Sequence, residues 1–96
     1  MAMATVKVEG EKKNHKVFLY TLSTCGWCKK TKQFLKDNGV EYEYLDIDTC
    51  TPEDRAEAIK DLKARRASIA FPVAIIDGET LISGYKPEKY REELGL

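Results

Sequence analysis

The chain has 96 residues, 43% of them apolar and 33% charged, which fits one compact domain and excludes both a membrane-embedded protein and a disordered tail. Sixteen basic residues balance sixteen acidic ones, so the net charge gives no support to nucleic-acid binding. No apolar run is long enough for a membrane span, and Met1–Gly10 alternates apolar and polar residues rather than forming a secretory leader. A cytoplasmic protein with no membrane partner is therefore expected. Three cysteines are an odd number and match a secreted disulfide framework poorly.

Residues 1–15 read as a polar N-terminal extension, in which Val6 and Val8 alternate with charged residues over Thr5–Gly10 and allow a short extra strand. The main domain spans 16–96. Lys16–Leu22 is continuously apolar and rich in β-formers, as a buried strand should be. Cys28, Thr31, Phe34, Leu35 and Asn38 then fall on one stripe at helical spacing. Gly39 stands where a left-handed C-terminal residue belongs. Val40–Ile47 predicts a second strand, with Tyr42 and Tyr44 packing on the sheet. Thr51-Pro52-Glu53-Asp54 is a helix start with a hydroxyl cap, an N1 proline and acids in the first turn. That helix is expected to bury Ala56, Ile59 and Leu62 and to end near Arg65 or Arg66, whose charge suits the helix dipole. Pro72–Ile76 and Glu79–Ser83 read as two strands around a two-residue Asp77-Gly78 turn. Lys86-Pro87 opens a last helix carrying Tyr90 and Leu94. The order βαβαββα predicts an α/β domain with a mixed four-stranded sheet and helices on both faces.

Chemistry concentrates at Cys25-Gly26-Trp27-Cys28, the junction of the first buried strand and the first helix. In parallel βαβ units, reactive groups gather at the carboxyl ends of the strands. A thiol must be deprotonated to attack, and free backbone N–H groups at a helix start favour the thiolate of Cys25. Lys29 and Lys30 would add positive charge. Cys28 lies about one turn on, close enough to close a small disulfide ring. Cys25 would attack a substrate disulfide and Cys28 would resolve the mixed disulfide.

The CGWCKK string after a strand, the Phe71-Pro72 step and Ser83-Gly84 before the last helix resemble a glutaredoxin, within the thioredoxin-like fold. The resemblance covers residues 16–96, nearly the whole chain. It implies Cys25 as nucleophile, Cys28 as resolving thiol and a cis Pro72 that lets the backbone of Phe71 pair with substrate. Gly26, Trp27, Ser83, Gly84 and Tyr85 complete the expected substrate-binding set. Glutathione-using members carry a lysine three positions before the first cysteine, where this chain has Leu22, and Thr-Val before the proline, where it has Ala70 and Phe71. Ser83-Gly84-Tyr85-Lys86-Pro87-Glu88 is similar to the signature of NrdH-type redoxins, which serve ribonucleotide reductase and draw electrons from thioredoxin reductase. The resemblance leaves the reductant open between glutathione, another small thiol and a flavoprotein reductase. Ribonucleotide reductase is one implied protein substrate, and a monomer is expected.

No cofactor is needed, because both electrons travel on sulfur. A rival reading follows from the motif glycine: some relatives with a changed motif share an iron–sulfur cluster between two chains, with the first cysteine as ligand. One CxxC is half of a four-thiolate site, so no metal site is expected within a single chain, and Cys50 would add only a third thiol. Cys50 otherwise reads as an inert thiol beside the Thr51 cap. Trp27 is expected at the rim, either as a partner contact or as a loop aromatic. Tyr20 reads as core and His15 as solvated surface.

Overall fold

The computed structural model describes residues 4–67 and 70–96, so the first three residues of the N-terminal extension lie outside the described part. Its elements are β1 (Val6–Val8), β2 (Val17–Thr21), α1 (Gly26–Asp37), β3 (Tyr42–Asp46), α2 (Pro52–Ala64), β4 (Val73–Ile76), β5 (Thr80–Ser83) and α3 (Pro87–Leu94). The sheet has five strands in the order β1-β3-β2-β4-β5, one more than the sequence pattern predicts. β2 and β3 are parallel across the α1 crossover, and the remaining neighbours are antiparallel. The added strand is β1, whose Val6 and Val8 sit opposite Tyr44 and Tyr42. It gains its place because Lys12 and residues 39–41 exchange backbone bonds: Lys12 N–H donates to Gly39 and Glu41 N–H donates to Lys12.

Alternation along the strands divides the core into two layers. Val17 and Leu19 of β2, Ala74 and Ile76 of β4, and Ile82 of β5 pack with Phe34, Leu35, Tyr90 and Leu94 of α1 and α3. The next residues along, Tyr20, Val73 and Ile75, face Ala58 and Leu62 of α2 with Leu45. The helices therefore cover both faces. α1 buries Cys28, Thr31, Phe34 and Leu35 of the expected stripe, Asn38 becomes its partly exposed C-cap, and Gly39 follows at φ +69°.

α2 turns differently from expectation. Thr51 caps it as predicted, with its hydroxyl accepting from Asp54 N–H at 3.1 Å, and Arg65 follows its last turn. Ala56 and Ile59, however, face solvent, and Ala58 takes their place beside Leu62. The inward face is Ala58 and Leu62, flanked along the helix by two exposed arginines tied to backbone. Arg55 Nε donates to the Ile47 carbonyl at 2.8 Å, and Arg65 donates to Gly78 at 3.0 Å. A pattern read on hydrophobicity alone misses a face anchored by guanidinium groups.

The β4–β5 hairpin also departs from expectation. Ile76 pairs with Thr80, so Asp77, Gly78 and Glu79 form a three-residue loop rather than a two-residue turn. Asp77 and Gly78 supply the two positive φ angles, and Glu79 N–H donates back to Ile76 at 3.1 Å. His15 is not free surface: its Nδ1 lies 2.7 Å from the Asp77 carboxylate, which also accepts the Lys16 N–H. Those two bonds hold the Asp77 carboxyl below the usual aspartate range.

Candidate functional site

The site lies at the carboxyl end of β2, where the chain turns into α1. Cys25 is the N-cap of that helix, and its Sγ accepts the backbone N–H of Cys28 at 3.2 Å. A sulfur in this position takes the place of the usual hydroxyl or carboxylate cap and sits at the positive end of the helix. The Cys25 thiol faces the Phe71 carbonyl at 3.9 Å. Cys25 is half-buried, whereas Cys28 has no exposed surface. Burial pushes the Cys28 thiol up to about 12, with its hydrogen bond to Cys25 adding to the rise. Both thiols are free. Two thiols at this spacing, one reachable and one buried beneath it, can hold either two protons or one disulfide.

The Phe71–Pro72 peptide is cis, as the resemblance implies. Pro72 is buried, and its carbonyl accepts the N–H of Gly84 at 2.7 Å, which fixes the β5–α3 connection beside the cysteines. Gly84 turns at φ +85°, a conformation open to glycine, and Ser83 sits opposite Val73 in the sheet. Tyr85 then stacks on Trp27, with ring centroids 5.8 Å apart and planes 20° apart. The structure thus gathers Cys25, Gly26, Trp27, Phe71, Pro72, Ser83, Gly84 and Tyr85 together, with Cys28 buried behind them. Gly26 is exposed in the first turn, where a Cβ would meet nothing within 4 Å.

Lys30 lies over Trp27 and Tyr85 at 5.3 and 6.0 Å, so its charge is directed to the rings. Cys50 is half-buried, its thiol donating to the Ile47 carbonyl at 3.5 Å. Among the described residues, no group of three or more His, Cys, Asp or Glu is placed to hold a metal ion. Tyr20 is buried and donates to Asp61 at 2.6 Å; burial first, then that carboxylate, pushes its hydroxyl well above the ordinary tyrosine range.

Sequence reasoning passed over a charged group beneath the thiols. Lys32, one helical turn after Cys28, holds its Nζ 3.3 Å from the Asp46 carboxylate and 3.7 Å from the Tyr44 ring centroid. The same carboxylate accepts the buried Thr21 hydroxyl. Lys32 opposes the rise in the Cys28 thiol, since a nearby positive charge favours a thiolate. The i, i+4 spacing of Cys28 and Lys32 was the available signal.

The chain belongs to the glutaredoxin family, whose model matches residues 17–81. The glutaredoxin from Methanosarcina mazei superposes with a TM-score of 0.83 and 38% identity, over 96% of this chain and 88% of that one. Methanoredoxin from Methanosarcina acetivorans gives 0.79 and 43% identity over 84% of this chain and 85% of that one. The NrdH-redoxin of Escherichia coli, a glutaredoxin-like protein with a thioredoxin-like activity profile, gives 0.66 and 26% identity over 80% and 92%. The protein is a glutaredoxin-like, thioredoxin-fold redox protein carrying a Cys-x-x-Cys motif.

Proposed function

We propose that the protein is a dithiol–disulfide oxidoreductase that reduces protein disulfides through a Cys25–Cys28 cycle in the reducing setting of a cytoplasm. The observation that supports this most directly is the unequal placement of the two thiols: Cys25 at the rim and on a helix cap, Cys28 buried behind it. Cys25 attacks one sulfur of the substrate disulfide. That bond breaks, one substrate sulfur leaves and takes a proton, and the other stays joined to Cys25. Cys28 then gives up its proton and attacks Cys25 Sγ. The second substrate sulfur departs and takes a proton; the substrate disulfide has then gained two electrons and two protons, and the dithiol that supplied them is left as a Cys25–Cys28 disulfide. A thiol or a flavoprotein reductase returns those electrons.

Gly26, Trp27, Phe71, Pro72, Ser83, Gly84 and Tyr85 form the rim on which substrate rests, with the Phe71 backbone beside the attacking sulfur. Leu22 offers no charge to a glutathione carboxylate, so glutathione is a poor reductant in this reading. The thioredoxin-like activity profile of the related NrdH-redoxin supports a protein reductase, and ribonucleotide reductase is a candidate substrate. The cluster-carrier alternative needs a second chain, since Cys25 and Cys28 are half of a four-thiolate set and Cys50 completes no metal-binding group with them. Visible absorption in anaerobically purified protein would mark it.

The deciding experiment offers the oxidised protein to glutathione, other small thiols and thioredoxin reductase, and the reduced protein to a protein disulfide. Reduction of the substrate with loss of two thiols per chain is expected. A reduced protein that leaves every disulfide intact would sink the reading.

A further inference from the structure

Four aromatic rings run along the seam between α1 and α3. Trp27 stacks on Tyr85; Tyr85 meets Phe34 edge-on at 6.4 Å and Tyr90 at 6.3 Å; Phe34 and Tyr90 lie 5.8 Å apart. The inner rings, Phe34 and Tyr90, are core. The outer end is open, with Trp27 58% exposed beside a half-buried Tyr85. Two cations lie on this ladder. Lys30 sits over the Trp27–Tyr85 pair, and the Arg91 guanidinium is 5.2 Å from the Phe34 centroid.

Among the described residues, neither cation has a carboxylate partner. The ion pairs among the described residues use Lys7, Lys13, His15, Lys32 and Arg65. Glu88, in the first turn of α3, pairs with neither Lys30 nor Arg91. Lys86, beside Tyr85, is exposed and likewise without an acid. The surface is thus an open aromatic face edged by Lys30, Lys86 and Arg91, none of which forms an ion pair among the described residues. It is also fixed relative to the reactive sulfur: Trp27 lies in the first turn of the helix that Cys25 caps, and Tyr85 follows the Gly84–Pro72 bond next to Phe71. An exposed aromatic pair offers area to an apolar side chain, and unpaired cations at the edge select acidic groups on the incoming chain.

We propose that this seam is the docking surface for the segment flanking the target disulfide of a protein substrate, and that it selects an acidic segment bearing an apolar side chain. The proposal rests on the dithiol reading for its location and deepens it by naming the substrate class. Lys30 and Arg91 set the charge preference; Trp27 and Tyr85 supply the contact area.

The test uses two peptides with the same internal disulfide, one flanked by Asp, Glu and Leu, the other by Lys and Leu, with 2-hydroxyethyl disulfide as an uncharged reference. At low ionic strength the acidic peptide should be reduced with kcat/KM about tenfold above the basic one, falling toward parity in high salt. The Lys30→Glu, Arg91→Glu double variant, changed at two surface positions, should reverse the order. Equal rates for the two peptides in the wild-type protein, or a preference that survives charge reversal, would overturn the proposal. Failure to reduce even 2-hydroxyethyl disulfide would instead overturn the dithiol reading. Docking is then still tested by the acidic peptide with its cysteines changed to serine, read by the emission of Trp27, the sole tryptophan. A saturable change larger than that given by the basic analogue supports docking, and no change, or an equal one, overturns it.

Discussion

The backbone N–H of Cys28 points at the sulfur of Cys25 from 3.2 Å, while the side chain of Cys28 is itself shut away from solvent. One residue thus serves its partner through its amide and stays out of reach through its thiol. Cys25→Ser should abolish every disulfide-exchange activity, because the buried thiol cannot meet a substrate. Cys28→Ser keeps the amide and should accumulate a mixed disulfide on Cys25. Mass spectrometry of the trapped species checks both, and an adduct on Cys28 in the Cys25→Ser protein would reverse the assignment.

The two steps should also differ in their response to pH. Burial disfavours the charged form of Cys28 whether Cys25 is free or bonded to substrate, so its thiol lies above the ordinary cysteine range and only a small thiolate fraction exists near neutrality. Below the thiol's midpoint the fraction rises about tenfold per pH unit, and the release step should rise with it. Stopped-flow decay of a preformed Cys25 mixed disulfide between neutral and mildly alkaline pH measures this. A flat profile would show that Cys28 is not the group that must ionise.

Lys32 gives that step a second handle. Its ammonium is held between the Asp46 carboxylate and the Tyr44 ring, one turn beyond Cys28. Lys32→Met should slow release several-fold and leave formation of the mixed disulfide at Cys25 nearly unchanged, because its charge acts on the buried thiol. Lys32→Arg should recover most of the rate. Equal slowing of both steps would mean that Lys32 serves only the packing of α1 on the sheet.

The N-terminal segment should matter to stability out of proportion to its length. A Cβ on Gly10 would lie 2.6 Å from the Gly39 carbonyl oxygen and 2.7 Å from both Glu41 N and Val40 C, all backbone atoms. Gly10→Ala must therefore push residues 10–12 away from 39–41, at a cost of about 1–3 kcal/mol. Gly26→Ala meets open space and should cost nothing. Urea unfolding of the two variants separates these outcomes; equal midpoints would show that the N-terminal segment yields freely.

What could be read from sequence alone divides along physical lines. β2, the α1 stripe up to Leu35 and the Thr51 cap rest on local periodicity and capping chemistry, and the folded chain keeps them. Ala56 and Ile59 face solvent because α2 turns Ala58 and Leu62 to the sheet, with Arg55 and Arg65 reaching backbone carbonyls at its flanks, a tertiary arrangement invisible to a hydrophobic pattern. The added strand β1 depends on a partner edge 34 residues away, from Val8 to Tyr42 on β3, which local propensity cannot report. At the site, the CxxC pair was legible from spacing and position. The Trp27–Tyr85 stack and the Lys32–Asp46 pair join residues from different elements, so only the folded chain brings them into view.

Glutathione use should turn on a single side chain. Leu22 lies three residues before Cys25, and its carbonyl accepts the Cys25 N–H at 3.1 Å, a backbone bond that any residue there preserves. Its side chain, half-buried at the rim, presents no charge to a ligand carboxylate. A charge-assisted contact of that kind is worth about 1.5–3 kcal/mol, or roughly ten- to a hundredfold in affinity. Leu22→Lys should therefore raise kcat/KM with glutathione by at least about tenfold, with KM falling more than kcat rises, since the contact binds glutathione in both ground and transition states. Steady-state turnover with glutathione and glutathione reductase measures the change. Efficient glutathione turnover by the unaltered protein, or no gain from the lysine, would show that recognition at this rim does not depend on that charge.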